Sequence, residues 1–343
     1  MLIPLRKIIK YSLFSLIPLL IIFLSLEVTQ RIRYSIKQKN RAWLFYGLRK
    51  DSEKSDINNK YIKISEIDVD TFLNKAFNDL RLPYDINNRN YEYIVCVGGS
   101  STAGVFNEPE HRYPYLLNQL VNSSLSSSNH IKYIIVNMGM AGRSSDSYYK
   151  PLKRILEKIS PKLIIFYCGY NDIFIKDVNK IYATVSAKLG SFYNFLERYS
   201  LLLVTLKEKF LINQSNQTKS YERNSVRYKE LENEFYKNID SCVDLSVSKN
   251  IKVILMPEVL MARNFGEMTT NYEDYSDKYS NIPVILNKIA KKYNCEFIDL
   301  HNYFDSNDFK KYFIDPVHLT SEGNNILSKL ILQKSKTLKE LTN

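Results

Sequence analysis

Five short apolar runs constrain this chain most: YEYIVCV (91–97), IKYIIVNM (131–138), PKLIIFYC (161–168), IKVILMP (251–257) and CEFIDL (295–300). The first four are rich in β-branched residues and nearly continuous in apolar character, and the fifth is shorter and interrupted by Glu296 and Asp299; together they show the pattern of strands covered on both faces. The segments between them are long enough for crossover helices and carry helical periodicity. Tyr113, Leu116, Leu117 and Leu120 recur after the first run, and Leu152, Ile155, Leu156 and Ile159 after the second. Val284, Ile285, Lys288, Ile289 and Lys292 give an amphipathic face before the last. Such a β-α-β-α series predicts an α/β fold with a doubly wound parallel sheet and right-handed crossovers. Ligands in that architecture sit beyond the carboxyl ends of the strands, so the residues that follow each run matter most.

Charge then separates the N-terminus from the rest. Of the net +12, the first 50 residues supply ten basic side chains against one acid, Glu27, which leaves +3 for the other residues. A basic surface for nucleic acid therefore has no support in the folded part. The basic segment brackets Tyr11–Leu26, sixteen residues without a charge. This run is somewhat short of the ~20 that cross a bilayer, and flanking Arg and Lys can snorkel to make up the difference. It ends in SLEVTQ without the small residues of a cleavage site, so an uncleaved N-terminal transmembrane anchor is expected over 1–30. A basic juxtamembrane linker is expected over 31–60 and a single domain over 61–335. Between 173 and 224 no strand is legible; there Leu196, Tyr199, Leu203, Leu206 and Phe210 mark one face of a helical insertion.

The four cysteines, Cys96, Cys168, Cys242 and Cys295, have neither C-x-x-C spacing nor clustering with His, and three of them fall in or beside apolar runs. They read as small buried hydrophobes, and neither a metal nor a cofactor is called for. The turn VGGSST (97–102) lacks the Lys of a phosphate-binding G-x-x-x-x-G-K-[ST] loop and is not a full G-x-G-x-x-G.

Four polar blocks follow four of the runs: GGSST with Ser100, NMGMAGRSS with Gly142, GYND with Asn171, and DPVHLTSEG with Asp315 and His318. Singly each reads as a turn. Of the four histidines, only His318 has a carboxylate at a fixed local spacing and a place beyond the last strand.

In this order, the blocks resemble those of the SGNH, or GDSL-type, hydrolase family, over about Tyr91 to Leu332. The resemblance implies a flavodoxin-like three-layer α/β/α sandwich with a five-stranded parallel sheet whose first strand lies between the second and third. It also implies a Ser-His-Asp site: Ser100 as nucleophile, His318 as base, Asp315 orienting the imidazole. The implied oxyanion donors are the backbone N–H of Ser100 and of Gly142 and the side-chain amide of Asn171. One departure stands out, because the namesake motif has Asp before the serine and this chain has Gly99.

The chemistry needs those residue types. A serine hydroxyl becomes nucleophilic when a base within hydrogen-bond reach takes its proton, and histidine titrates in the range to take and return it. A carboxylate holds the imidazole in the correct tautomer, and Pro316 presets a turn that folds Asp315 back toward His318. Thr320 or Ser321 then caps the final helix.

The expected activity is that of a serine esterase acting through an acyl-enzyme on ester-linked acyl groups, such as O-acetyl groups of glycans or lipids. Transfer of an acetyl group to a carbohydrate hydroxyl is the alternative, and a catalytically silent binding domain a more distant one. The positive charge beyond Leu26 leans toward a cytoplasmic domain, whereas the resemblance implies an extracytoplasmic one. The latter is the expectation, since long domains translocate largely regardless of charge.

Overall fold

The computed structural model describes residues 5–37, 68–125, 130–175, 199–203, 205–206, 226–261, 279–304 and 309–342. In chain order the elements used below are α1 (Leu5–Lys37), α2 (Val69–Asp79), β1 (Tyr91–Gly98), α3 (Ser100–Ala103), α4 (Tyr113–Ser124), β2 (Lys132–Gly139), α5 (Tyr149–Ile155), β3 (Leu163–Cys168), α6 (Val226–Val247), β4 (Lys252–Pro257), α7 (Asn281–Tyr293), β5 (Glu296–Phe297) and α8 (Ser321–Lys334). Two compact units result, one within 1–54 and 180–219, the other within 55–179 and 220–343.

The larger unit is built on one five-stranded sheet of order β2-β1-β3-β4-β5 with every pairing parallel. β1 runs in register with β2 from Tyr91↔Lys132 to Gly98↔Gly139, and with β3 from Ile94↔Leu163 to Gly98↔Tyr167. The first strand is thus central, and the loops after β1, β2 and β3 leave the sheet side by side.

Side chains alternate across this sheet into two cores, which is why the runs had to be continuously apolar. Val95, Val97, Val136, Met138, Ile164, Phe166 and Leu255 share one face with Leu73 and Phe77 of α2, Phe235 and Ile239 of α6, and Ile282 and Leu286 of α7. Ile94, Cys96, Ile135, Ile165, Tyr167, Ile254 and Met256 share the other with Tyr113, Leu117 and Val121 of α4 and Leu327 and Ile331 of α8. Helices therefore cover both faces. Burial of each large apolar side chain contributes about 1.5–3 kcal/mol, so a charge placed on either face would be costly.

Several expectations need correction. The buried face of α7 is Ile282, Leu286, Ile289 and Ala290, while Val284 is 64% exposed; the core lies on the side away from Lys288 and Lys292. In α4, Val121 and Asn118 are buried in place of Leu116 and Leu120. Asn118 faces the sheet because its side-chain oxygen accepts the Ile135 N–H at 2.8 Å. The last strand is two residues rather than six. It is an edge strand, and the Asp299 carboxylate takes the His301 N–H at 3.0 Å and turns the chain away.

The smaller unit contains α1, which runs unbroken through Pro18 to Lys37. Its side chains from Ile17 onward include Leu19, Leu20, Ile21, Ile22, Leu24, Leu26 and Val28, all at least half exposed. Among the described residues no helix is long and apolar enough to cross a membrane. The side chains of 11–16, the first part of the charge-free run, and residues 38–60 of the expected linker lie outside the described residues.

Glu27, the one acid of the first 50 residues, is buried and accepts the N–H groups of Leu201 and Leu202 at 2.9 and 2.8 Å, the Ser200 hydroxyl at 2.7 Å and Arg31 Nε at 2.7 Å. This carboxylate sets the rotation of the helical turn that begins at Leu201. Leu201, Leu202 and Thr205 are buried, whereas Tyr199 and Leu206 are exposed, so the buried face is offset from the expected one. Leu196 and Phe210 lie outside the described residues.

Candidate active site

The base side is made by one short loop. Phe313 and Leu319 form an antiparallel bridge, the Ile314 N–H donates to the His318 carbonyl at 2.8 Å, and the Thr320 N–H donates to the Tyr312 carbonyl at 2.9 Å. Inside it, Asp315 Oδ1 accepts the N–H groups of Val317 and His318 at 3.0 and 2.9 Å. That pins the carboxylate so that Oδ2 meets His318 Nδ1 at 2.6 Å. Thr320 caps α8, its hydroxyl oxygen accepting the Gly323 N–H at 3.1 Å.

On the other side of the ring, His318 Nε2 lies 2.7 Å from Ser100 Oγ. A carboxylate partner at Nδ1 requires the proton there, so Nε2 is the acceptor for the serine proton. The Phe106 ring stands edge-on to the imidazole, 4.7 Å between centroids, and covers it from a third direction.

The electrostatics follow from these contacts. Burial pushes the Asp315 carboxyl up, but the charge of His318 and the hydrogen bonds from His318 and Val317 outweigh it and hold the group below the usual carboxylate range. For His318, burial pushes down, and the Asp315 carboxylate, helped by Glu258, pushes up further, so the imidazole lies above its ordinary value.

The three expected oxyanion donors lie in the loops after β1, β2 and β3. Ser100 opens α3 directly after β1 and stays partly exposed. Gly142 has φ +66°, a backbone conformation that side chains other than glycine rarely adopt. Asn171 follows β3, is 3% exposed, and donates from Nδ2 to the Arg143 carbonyl at 2.7 Å. One of its two amide hydrogens is thereby engaged, which fixes the plane of the amide. A β-carbon on Gly99 would fall 2.6 Å from that same Nδ2. Gly99 thus lies directly against the Asn171 amide, and a side chain at this position would have to shift it.

Of the five residues singled out from sequence, Ser100, His318 and Asp315 form one hydrogen-bonded chain, and Asn171 meets Gly99 and Arg143, the neighbours of Ser100 and Gly142. Two buried acids beside them escaped the sequence reading. Asp172 accepts the Ser145 N–H at Oδ1 and Oδ2, 3.0 and 3.2 Å away, and the Ser145 hydroxyl at Oδ1, and Asn238 Nδ2 donates to Ser145 Oγ at 3.0 Å. Glu258, just past β4, accepts the Tyr170 N–H at 2.8 Å. The only signal for either was an acid placed shortly beyond an apolar strand, four residues after β3 for Asp172 and one after β4 for Glu258. Among the described residues there is no cluster of three or more His, Cys, Asp or Glu able to hold a metal ion, and the four cysteines are unbridged.

A parallel sheet with a Ser-His-Asp hydrogen-bonded chain at its carboxyl edge is the architecture of an α/β enzyme of acyl chemistry. The model of the GDSL-like Lipase/Acylhydrolase family matches residues 94–331, and the chain belongs to that family of ester-hydrolysing enzymes. No curated protein matches it. Similar solved structures include a GDSL-like lipase from Bacteroides thetaiotaomicron, 17% identical with a TM-score of 0.43, covering 80% of this chain and 100% of that one. The acetyl xylan esterase AlAXEase is 18% identical with a TM-score of 0.44, covering 70% and 98%. A lipase/acylhydrolase from Enterococcus faecalis is 17% identical with a TM-score of 0.42, covering 71% and 94%.

Proposed function

We propose that the protein is a serine esterase that cleaves ester-linked acyl groups through an acyl-enzyme on Ser100. The observation that carries this reading is the hydrogen-bonded chain Ser100 Oγ, His318 Nε2, His318 Nδ1 and Asp315 Oδ2, with contacts of 2.7 and 2.6 Å. His318 Nε2 takes the Ser100 proton as Oγ bonds to the ester carbonyl carbon, and Asp315 steadies the imidazolium. The carbonyl oxygen becomes an oxyanion facing the Ser100 N–H, the Gly142 N–H and the Asn171 amide, each able to contribute about 3 kcal/mol. The imidazolium then protonates the leaving alcohol as the C–O bond breaks. In the second half, His318 deprotonates a water that attacks the acyl-enzyme and returns the proton to Ser100 as the acid leaves.

O-acetyl groups on glycans or lipids are the first substrates to try. A fluorophosphonate probe tests the reading directly: one adduct on the Ser100 peptide is expected, and its absence from the folded protein would sink the proposal. Product analysis with and without a glycan acceptor distinguishes release to water from transfer to a hydroxyl.

For location, we propose that α1 anchors the protein in a membrane with the catalytic unit on the extracytoplasmic side. Support comes from the charge-free run 11–26 flanked by basic residues and from the exposed apolar side chains of Ile17 to Val28. Protease treatment of intact cells should digest the catalytic unit; digestion only after lysis would overturn this placement.

A further inference from the structure

Glu258 is 2% exposed, yet it carries a carboxylate that the ester-cleaving steps above do not use. It sits where three loops of the site converge. Its Oε2 accepts the N–H of Tyr170, the residue immediately before Asn171, at 2.8 Å. The Ser101 hydroxyl, adjacent to the nucleophile, donates to the carbonyl of Val317, the neighbour of His318, at 3.3 Å, and it favours the charged form of the Glu258 carboxylate. The Glu258 N–H in turn donates to the Cys168 carbonyl at the end of β3, at 3.3 Å.

We propose that Glu258 is a positioning residue of this centre: its carboxylate holds the Tyr170 amide, next to Asn171, and its charge favours the imidazolium that His318 becomes when Ser100 is deprotonated. This rests on the reading of Ser100 and His318 as nucleophile and base. Besides His318, the titratable groups that act on or are acted on by Glu258 are Asp172 beyond β3, Tyr167 and Cys168 at its end, Tyr148 before α5, and Tyr279 before α7. Burial pushes the Glu258 carboxyl up to about 7, against the hydrogen bonds from Tyr170 and Ser101 and the charge of His318.

The test is the rate of Ser100 labelling by a fluorophosphonate as a function of pH, on the full chain. In Glu258→Gln, whose amide oxygen can still accept the Tyr170 N–H, the acid limb should move to lower pH, because the negative charge that raises His318 is gone. The plateau rate should fall by about tenfold, less than the 10²–10³ lost with a direct oxyanion donor. Ser101→Ala, which removes one donor that favours the carboxylate, should move the limb the same way by less. An acid limb in Glu258→Gln that coincides with that of the unaltered protein would overturn the proposal; should that variant not fold, a limb unmoved in Ser101→Ala would do so. Failure of the unaltered protein to label at all would instead remove the underlying reading.

Discussion

The two sides of Ser100 are built by opposite strategies. On the base side, Asp315 and His318 come from one turn, held by bonds between residues two and three apart. On the proposed oxyanion side, Ser100, Gly142 and Asn171 come from loops after three strands that lie side by side in the sheet order β2-β1-β3. The base side carries its geometry in its own hydrogen bonds. The oxyanion side borrows its geometry from neighbours: Arg143 for Asn171, Asp172 for Ser145, Glu258 for Tyr170. A locally organised group should therefore fail chemically when altered, and a borrowed one should fail through the groups that support it.

The largest expected effect breaks the base side. Asp315→Asn keeps the shape but no longer selects the Nδ1–H tautomer, so kcat on an aryl ester should fall by about 10⁴ while KM changes little. Asn171→Ala should cost about 10²–10³ in kcat, and a loss as large as that of Asp315→Asn would mean that the two sides are not separable.

Gly99→Ala sharpens the contrast, since its β-carbon would displace the Asn171 amide without removing it. It should lower kcat by less than Asn171→Ala does, and adding it to Asn171→Ala should cost little more, because both act through one group. Full additivity in that cycle would show that Gly99 acts elsewhere.

The smallest effect is a displacement in pH. His318 must be neutral to accept the serine proton, and its affinity for that proton is raised, so kcat/KM should fall as pH drops through a value above the ordinary ~6.5 of histidine. In Asp315→Asn the residual activity should show that limb at lower pH, because the largest favourable partner of the imidazolium has lost its charge. A limb that stayed put would assign it to another group.

How much of this was legible follows the same division. DPVHLT announced the base side because a carboxylate, a proline turn and a histidine within four residues can meet without help from the rest of the chain. The residue types of the oxyanion side could be named from their places after the strands. Their meeting point could not be read from spacing alone; strand order entered through family resemblance. Glu258 was invisible, since an acid after MP at the end of a strand has no periodic partner in sequence. Glu27 was noticed only as a lone negative charge, because its partners Ser200 to Leu202 lie far along the chain.

By itself, then, the sequence determined the strands, their burial on both faces and the Asp315–His318 turn, because apolar continuity and short-range hydrogen bonding are properties of neighbouring residues. The tertiary structure alone decided which side chains of α4 and α7 face the core, where β5 stops, how closely residue 99 approaches the Asn171 amide and where Glu258 points. Those outcomes depend on groups distant in sequence competing for the same space and the same hydrogen bonds, and only the packed sheet settles that competition.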